Sequence, residues 1–423
     1  MKRKLIMGER IMYVDESTPL NCVFAVKIRG SFSAENLHAA LAKIQKKHPL
    51  LRSSVREDQQ GRPYYELSED LEPIPVKIIK REGDDHWMEE SAQEWEKLFD
   101  EPNLPMARLV WLKGEDVSEL LLVCPHCICD GTTFVALMSE MLMLLDHPEK
   151  ELLPYQSFNS IEELLSATFS STRSKVVKAK FFSVIAKLFF LFKSTSNQQP
   201  AGSGYMLHWK LEAEETKRLV LACKAAGLTL HAALCVAFLD AFKAVRGGKA
   251  QGKVICPVDV RRFVKEIKQD TMFAFAPIAE LSLPKEKDFW AKAKKLQEEL
   301  KTKIEGMKVH ELLVMSEYFH GSVRKMVKYL RATDGGHDLT LSNMGRLGIP
   351  ENYDSFEVET LYSPSVGFPW RNANTLVLST FKGRMDFTFL SNHAFLDKKE
   401  AEKIRDTALE LLMAEVMVDY ASY

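Results

Sequence analysis

The chain has 423 residues, of which 46% are hydrophobic and 27% are charged, and its formal net charge is −1. This composition excludes disorder along the whole length. The near-zero charge excludes a dedicated nucleic-acid binder, which needs surplus positive charge to displace counterions from phosphates. The chain is also too long for one ordinary hydrophobic core, so two domains are expected.

The seven cysteines are an odd number and lie mostly inside apolar runs, where a thiol packs as a small hydrophobic group. The first residues, MKRKLIMGERIMYVDE, lack the apolar core and cleavage site of a signal peptide. No run of about twenty apolar residues predicts a transmembrane helix. We therefore expect a protein of the reducing cytoplasm, with no disulfide framework.

Residues 1–155 alternate strand and helix patterns, which predicts a mixed sheet covered by helices. The β-branched and aromatic stretch 22–30 predicts a strand, and Ser33 then caps a helix that ends near His48 and Pro49. Further strands are predicted at 51–57, 63–69, 75–80, 107–113 and 118–126, and further helices at 86–98 and 133–146.

Residues 156–204 have little regular pattern and end in STSNQQPAGSG, a composition typical of a linker. The segment 176–193 within them contains the apolar stretch FFSVIAKLFFLF. It is too short to span a bilayer, and we favour a helix buried beside the linker. The alternative is a lid, or a peripheral membrane contact that admits a lipid substrate.

Residues 205–423 repeat the strand and helix rhythm of the first lobe, so a second α/β lobe is expected. Thr229 caps a long apolar helix, and Asp397 caps the closing helix. Strands are predicted at 205–212, 253–260, 272–283, 338–345, 356–363, 375–383 and 384–392, with an amphipathic helix at 288–304.

The stretch LLVCPHCICDG carries the strongest chemical signal in the sequence. An apolar strand delivers His126, Asp130 follows four residues later, and Gly131 permits a tight turn into the next helix. A neutral imidazole at a strand end can deprotonate a hydroxyl or amine as that group attacks a carbonyl.

This stretch resembles the HHxxxDG motif of the CoA-dependent acyltransferase superfamily, which includes condensation domains, alcohol acetyltransferases and chloramphenicol acetyltransferase. His126 matches the second histidine, while Pro125 stands at the position of the first. Four more segments resemble family signatures in the same order along the chain: 47–55 (KHPLLRSSV), 257–263 (PVDVRRF), 341–345 (LSNMG) and 389–397 (FLSNHAFLD).

The resemblance implies two chloramphenicol-acetyltransferase-like α+β lobes that form a pseudo-dimer with a tunnel between them. His126 would be the general base, and Asp130 would bind an arginine that holds the loop. The expected partner is Arg261, with two rivals, Arg52 and Arg262. Two further residues are candidate donors to the oxyanion or contacts to the acceptor: Ser342 and Asn343.

The resemblance also implies direct transfer from acyl-CoA, or from a phosphopantetheine thioester on an acyl carrier protein, to an alcohol or amine. No acyl-enzyme intermediate and no tightly bound cofactor are expected. The first alternative is a non-catalytic condensation-like domain that binds a carrier protein or partner enzyme. The second is a lipid-binding scaffold built around 176–193, and a thiol protease or hydrolase is a distant third.

Cys124, His126, Cys127 and Cys129 also suggest a zinc site. Neighbouring side chains on a strand point to opposite faces, so these four cannot easily converge on one ion, and we see no second cluster elsewhere in the sequence. No metal is therefore predicted. We do not expect Cys127 or Cys129 to act as a nucleophile, because no other histidine or asparagine is placed by the sequence to activate it.

Overall fold

The computed structural model describes residues 2–68, 70–101, 103–165, 177, 181–183, 185 and 202–420, with the backbone alone described for 416–420. The strands are β1 (Lys2–Lys4), β2 (Asn21–Gly30), β3 (Ser53–Glu57), β4 (Pro63–Leu67), β5 (Val76–Lys80), β6 (Arg108–Lys113), β7 (Val117–Pro125), β8 (Gly204–Leu211), β9 (Lys253–Pro257), β10 (Ile278–Ser282), β11 (Leu339–Arg346), β12 (Phe356–Leu361), β13 (Ser365–Val366), β14 (Thr375–Phe381) and β15 (Arg384–Asn392). The α-helices are α1 (Met7–Tyr13), α2 (Ala34–Lys47), α3 (His86–Trp95), α4 (Gly131–Asp146), α5 (Ala213–Ala225), α6 (Leu230–Arg246), α7 (Phe289–Glu305), α8 (Val309–Ser316), α9 (Val323–Ala332) and α10 (Lys398–Tyr420).

The first lobe is built on a mixed sheet with the strand order β12-β2-β7-β6-β5. Its central strand β7 is buried on both faces, which explains its continuous apolar run from Leu120 to Cys124. Helices α2 and α4 pack together over one face, where Leu41 and Leu137 meet Leu122 of β7. The strand therefore provides a rigid support, and the loop that carries His126 follows at its end.

The second lobe has its own sheet, ordered β10-β9-β11-β14-β15-β8, and its own hydrophobic core. Helix α6 is apolar around most of its circumference because it packs between α7 and α10 and against the sheet. The predicted cap of this helix is confirmed, since the Thr229 hydroxyl accepts a hydrogen bond from the Ala232 amide at 3.3 Å. The strand predicted over 272–283 is confined to β10.

One segment of the second half crosses to the first lobe. Strand β12 pairs antiparallel with β2, placing Val358 opposite Ile28, and β13 pairs with the start of β2. The sequence pattern predicted that all of residues 205–423 belong to the second lobe. The ladder instead makes β12 and β13 part of the first sheet, so a segment of the second half of the chain belongs to the first lobe.

The apolar segment 176–193 lies mostly outside the described residues. Of its members that are described, the apolar side chains of Val177, Phe181, Phe182 and Ile185 are exposed, while Ser183 is buried. The expectation of a buried helix is therefore wrong for these four positions. Among the described residues no single helix has the length and apolar composition of a membrane span, although α5 and α6 together, across a bend of 102°, have both.

Candidate active site

His126 lies in the loop that follows β7, and hydrogen bonds fix the position of its ring. Its backbone amide donates to the Leu20 carbonyl at 2.8 Å, and its Nδ1 lies 2.8 Å from the Cys129 carbonyl oxygen. A carbonyl can only accept, so Nδ1 carries the proton in this bond. In the neutral ring, Nε2 is then the nitrogen with a free lone pair. The residue as a whole is partly exposed.

The loop from His126 to Asp130 is held from two further sides. The hydroxyl of Tyr65, which is completely buried, donates to the Cys127 carbonyl at 2.7 Å. The Ile128 amide donates to the Pro125 carbonyl at 3.2 Å and closes a tight turn. The imidazole therefore stands on a loop whose backbone polar groups are satisfied by protein, an arrangement that keeps a reacting group in place.

Asp130 caps helix α4 and binds an arginine with its second oxygen. Oδ1 accepts from the backbone amide and the hydroxyl of Thr133, both at 2.9 Å. Oδ2 lies 2.5 Å from Nη1 of Arg261, the preferred of the three candidate arginines. Both carboxylate oxygens are occupied, so Asp130 shapes the loop and is not placed to receive a proton from a substrate.

Arg261 reaches Asp130 from a short turn in the second half of the chain. Its side chain is almost fully buried, and Nε and Nη2 donate to the carbonyls of Lys268 and Thr271 at 3.0 and 2.9 Å. Asp259 accepts from the Arg261 backbone amide at 2.9 Å. This buried ion pair has hydrogen-bond partners for most of its donors, and it connects the two halves of the chain directly at the loop.

The segment 47–55 contributes to the same connection. His48 is fully buried, and its two ring nitrogens lie 2.8 Å from Glu140 and 3.2 Å from the Tyr155 hydroxyl. That hydroxyl accepts from the Met272 amide at 2.9 Å, one residue beyond the carbonyl that Arg261 binds. Sequence reasoning did not single out Glu140 or Tyr155, since neither lies in a family signature.

Cys22 of β2 lies near the His126 ring and the Cys129 thiol and interacts electrostatically with both. Burial disfavours the charged form of both groups, but the imidazolium and the thiolate stabilise each other. The pKa of Cys22 is therefore lowered to about 6, and the pKa of His126 is raised to about 9. The sequence carried no signal for this pairing, because 104 residues separate the two side chains.

Burial also acts on the other cysteines of this loop. It raises the pKa of the Cys127 thiol and that of the Cys129 thiol well above the usual range. Both thiols are completely or almost completely buried. A nucleophile must ionise and reach its substrate, so neither thiol has the properties of a catalytic cysteine.

Gly131 serves a different purpose from the one predicted. Its backbone does not have the positive φ that favours glycine. A side-chain Cβ built there would lie 3.3 Å from the methyl carbon of Met344 on β11. Phe368, which follows β13, also approaches the site, with its ring centroid 6.0 Å from that of His126. The absence of a side chain at Gly131 therefore lets the second lobe come close to the loop.

Ser342 and Asn343 lie within strand β11 and not on a loop after it. Ser342 pairs with Val377 of β14, and the exposed Asn343 accepts from the Gly345 amide at 2.8 Å. Among the described residues, no hydrogen bond joins either side chain to His126. Their role as oxyanion donors stays a prediction, as does the tunnel, since the two cavities described do not include His126.

The chain thus has two sheet-based lobes, an imidazole at the end of a strand of the first lobe, and an Asp-Arg pair that connects the two halves of the chain. The condensation domain family matches residues 12–252, and the phthiocerol/phthiodiolone dimycocerosyl transferase C-terminus family matches residues 203–389. The first match covers more than half of the chain, so this protein belongs to the condensation domain family.

Solved structures share the fold across nearly the whole chain. Trichothecene 15-O-acetyltransferase TRI3 from Fusarium sporotrichioides matches with a TM-score of 0.73 at 16% identity, covering 98% of this chain and 95% of that one. Polyketide synthase associated protein 5 from Mycobacterium tuberculosis matches with a TM-score of 0.68 at 15% identity, covering 97% and 98%. These likenesses confirm the predicted two-lobed α/β fold.

Among curated proteins, bacitracin synthase 2 from Bacillus licheniformis is 23% identical over 227 residues. The matched region is 52% of this chain but 8% of the synthase, so the chain spans only a small part of that relative's length.

Proposed function

We propose that this protein is an acyltransferase that moves an acyl group from a thioester to an alcohol or amine, with His126 as the general base. The observation that carries the proposal is the 2.8 Å hydrogen bond from His126 Nδ1 to the Cys129 carbonyl, which leaves Nε2 as the ring nitrogen that can accept a proton. The donor is acyl-CoA or an acyl group on the phosphopantetheine of a carrier protein. Membership of the condensation domain family supports this class of donor.

The transfer proceeds without a covalent enzyme intermediate. Nε2 takes the proton of the acceptor hydroxyl or amine while the acceptor's oxygen or nitrogen forms a bond to the thioester carbonyl carbon. The resulting tetrahedral intermediate collapses, the carbon–sulfur bond breaks, and the departing thiolate takes the proton back from His126. Asp130 and Arg261 act only by holding the loop in position.

The proposal is tested by His126→Ala in an assay of thiol release, using a panel of acyl-CoAs with alcohols and amines. We expect turnover to fall by roughly 10²–10⁴-fold, the usual contribution of a positioned general base. The melting temperature should stay close to that of the parent, since the residue is partly exposed. His147→Ala, at the far end of α4, is the matched control and should transfer normally. Transfer by His126→Ala close to the parent rate would refute the base assignment.

The second candidate function is a non-catalytic condensation-like domain that binds a carrier protein or partner enzyme. The pairing of His126 with Cys22 favours it, because an imidazolium cannot accept a proton. The two functions separate when the protein is mixed with an acyl carrier protein between pH 7 and 9.5. Binding without thiol release at any pH, for any acceptor offered, would favour the second candidate.

A further inference from the structure

Helix α6 presents a histidine and a cysteine one turn apart, and a neighbouring strand places a second cysteine beside them. His231 and Cys235 are separated by four residues, so they lie on the same face of the helix. Cys256 lies on β9, which packs against this helix. Sequence reasoning found no cysteine and histidine cluster outside the loop of His126, and the structure corrects that expectation.

The three donor atoms converge. His231 Nε2 lies 3.3 Å from Cys256 Sγ, and these two atoms and Cys235 Sγ all lie within 4.8 Å of one another. With zinc–sulfur bonds of about 2.3 Å and a zinc–nitrogen bond of about 2.0 Å, donor atoms around a tetrahedral ion are separated by about 3.5–3.8 Å. No separation exceeds the required range by more than about 1.3 Å, so one ion can bind all three donors after small movements of the side chains.

The surroundings fit an ion with soft ligands. Cys235 and Cys256 are buried, at 0% and 2% exposure, while His231 is partly exposed and provides a route of entry. Two thiolates and a neutral imidazole balance the charge of a divalent ion, so the loaded cluster carries no net charge into the interior. Thiolate and imidazole donors together select zinc or copper over magnesium and calcium, which prefer oxygen.

We propose that His231, Cys235 and Cys256 form a binding site for a thiophilic transition metal ion, and that the divalent ion bound there is Zn²⁺. The site provides three protein ligands and leaves the fourth position to water or another small ligand. It lies in the second lobe, and the chain continues from the end of β9 through Asp259 to Arg261. A bound ion would clamp α6 to the strand that leads into the arginine turn.

The site is tested by titrating Zn²⁺ into reduced, chelator-treated full-length protein in competition with a chromophoric chelator, with native mass spectrometry for the stoichiometry. We expect one zinc per chain and a melting temperature that rises with zinc, because an ion that binds only the folded state stabilises it. Cys235→Ser and Cys256→Ser should each weaken zinc binding more than about tenfold. Cys223→Ser removes a buried cysteine outside the cluster and should bind as the parent does.

A second measurement keeps the proposal testable if those variants do not fold. In the parent protein, zinc should slow alkylation of Cys235 and Cys256 selectively, as mapped by peptide mass spectrometry. The proposal is overturned if no zinc binds at micromolar concentration, or if zinc protects the cysteines near His126 instead. It is also overturned if both serine variants retain the parent's affinity.

Discussion

Two histidines of this protein lie beside cysteine sulfur, in different lobes and in different settings. His126 is on a loop, and its Nδ1 is bound to a backbone carbonyl, while contacts from the second half of the chain hold the loop. His231 is on a regular helix, and its Nε2 faces Cys256 at 3.3 Å with Cys235 one turn away. We propose that the same pair of side-chain types serves a general base in one lobe and a set of metal ligands in the other. The two sites differ in two ways. A backbone carbonyl binds one ring nitrogen of His126, and two cysteine sulfur atoms lie close to the His231 ring.

The loop that carries His126 is held by Arg261 from the second half of the chain, and this dependence predicts the largest effect on stability. Arg261→Ala leaves the Asp130 carboxylate without its cation and the carbonyls of Lys268 and Thr271 without their donor. We expect the free energy of unfolding to fall by about 3–5 kcal/mol and acyl transfer to be lost together with stability. Chemical denaturation measures the first quantity. Arg262→Ala removes the adjacent exposed arginine and should change stability by less than about 0.5 kcal/mol. Equal stability of the two variants would contradict the role given to Arg261.

The coupling of His126 to Cys22 predicts an intermediate effect on pH dependence. A base must be unprotonated, so activity that requires His126 rises with pH towards its pKa of about 9. Burial lowers the pKa of His126, and Cys22→Ser removes the thiolate that most opposes burial, leaving the hydrogen bond to the Cys129 carbonyl to oppose it. The rising limb of kcat/KM should move at least about one pH unit lower, and kcat/KM at pH 7 should increase on the order of tenfold or more.

The pH profile is measured between pH 5.5 and 10 with one acyl donor and one acceptor. Cys223→Ser is the control, because that buried cysteine lies in the second core, and its profile should match the parent's. A Cys22→Ser profile that coincides with the parent's would mean that the thiol does not ionise beside His126.

The close approach of the second lobe to Gly131 predicts the smallest effect. Gly131→Ala places a methyl group 3.3 Å from the flexible end of Met344, which can give way. We expect a loss of stability below about 1 kcal/mol and a decrease in transfer of a few-fold. Met344→Ala should restore the Gly131→Ala variant if contact with this side chain is the cause. No recovery in the double variant would indicate that the backbone at Gly131 requires glycine, as the sequence alone suggested.

Much of the first site follows from local rules. Asp130 caps a helix because its carboxylate reaches an amide three residues ahead, and the spacing from His126 to Asp130 is short enough to be recognised in the sequence. The choice of Arg261 depended on resemblance to a family segment. The strand predicted over 356–363 agrees with β12 to within two residues. The strand predicted over 272–283 is much shorter in the structure, where only β10 is a strand, because an apolar run is compatible with either a strand or a buried loop.

The amino-acid sequence by itself determined the alternation of strands and helices, the helix caps and the position of the histidine at the end of an apolar strand. These features depend on contacts within a few residues, which each segment carries with it. Only the tertiary structure decided that Cys22 lies against His126, that β12 extends the first sheet, and that Cys256 meets His231 and Cys235. These placements are set by strand pairing and by helix packing over long sequence separations, where the register is chosen by the whole core and not by the local pattern.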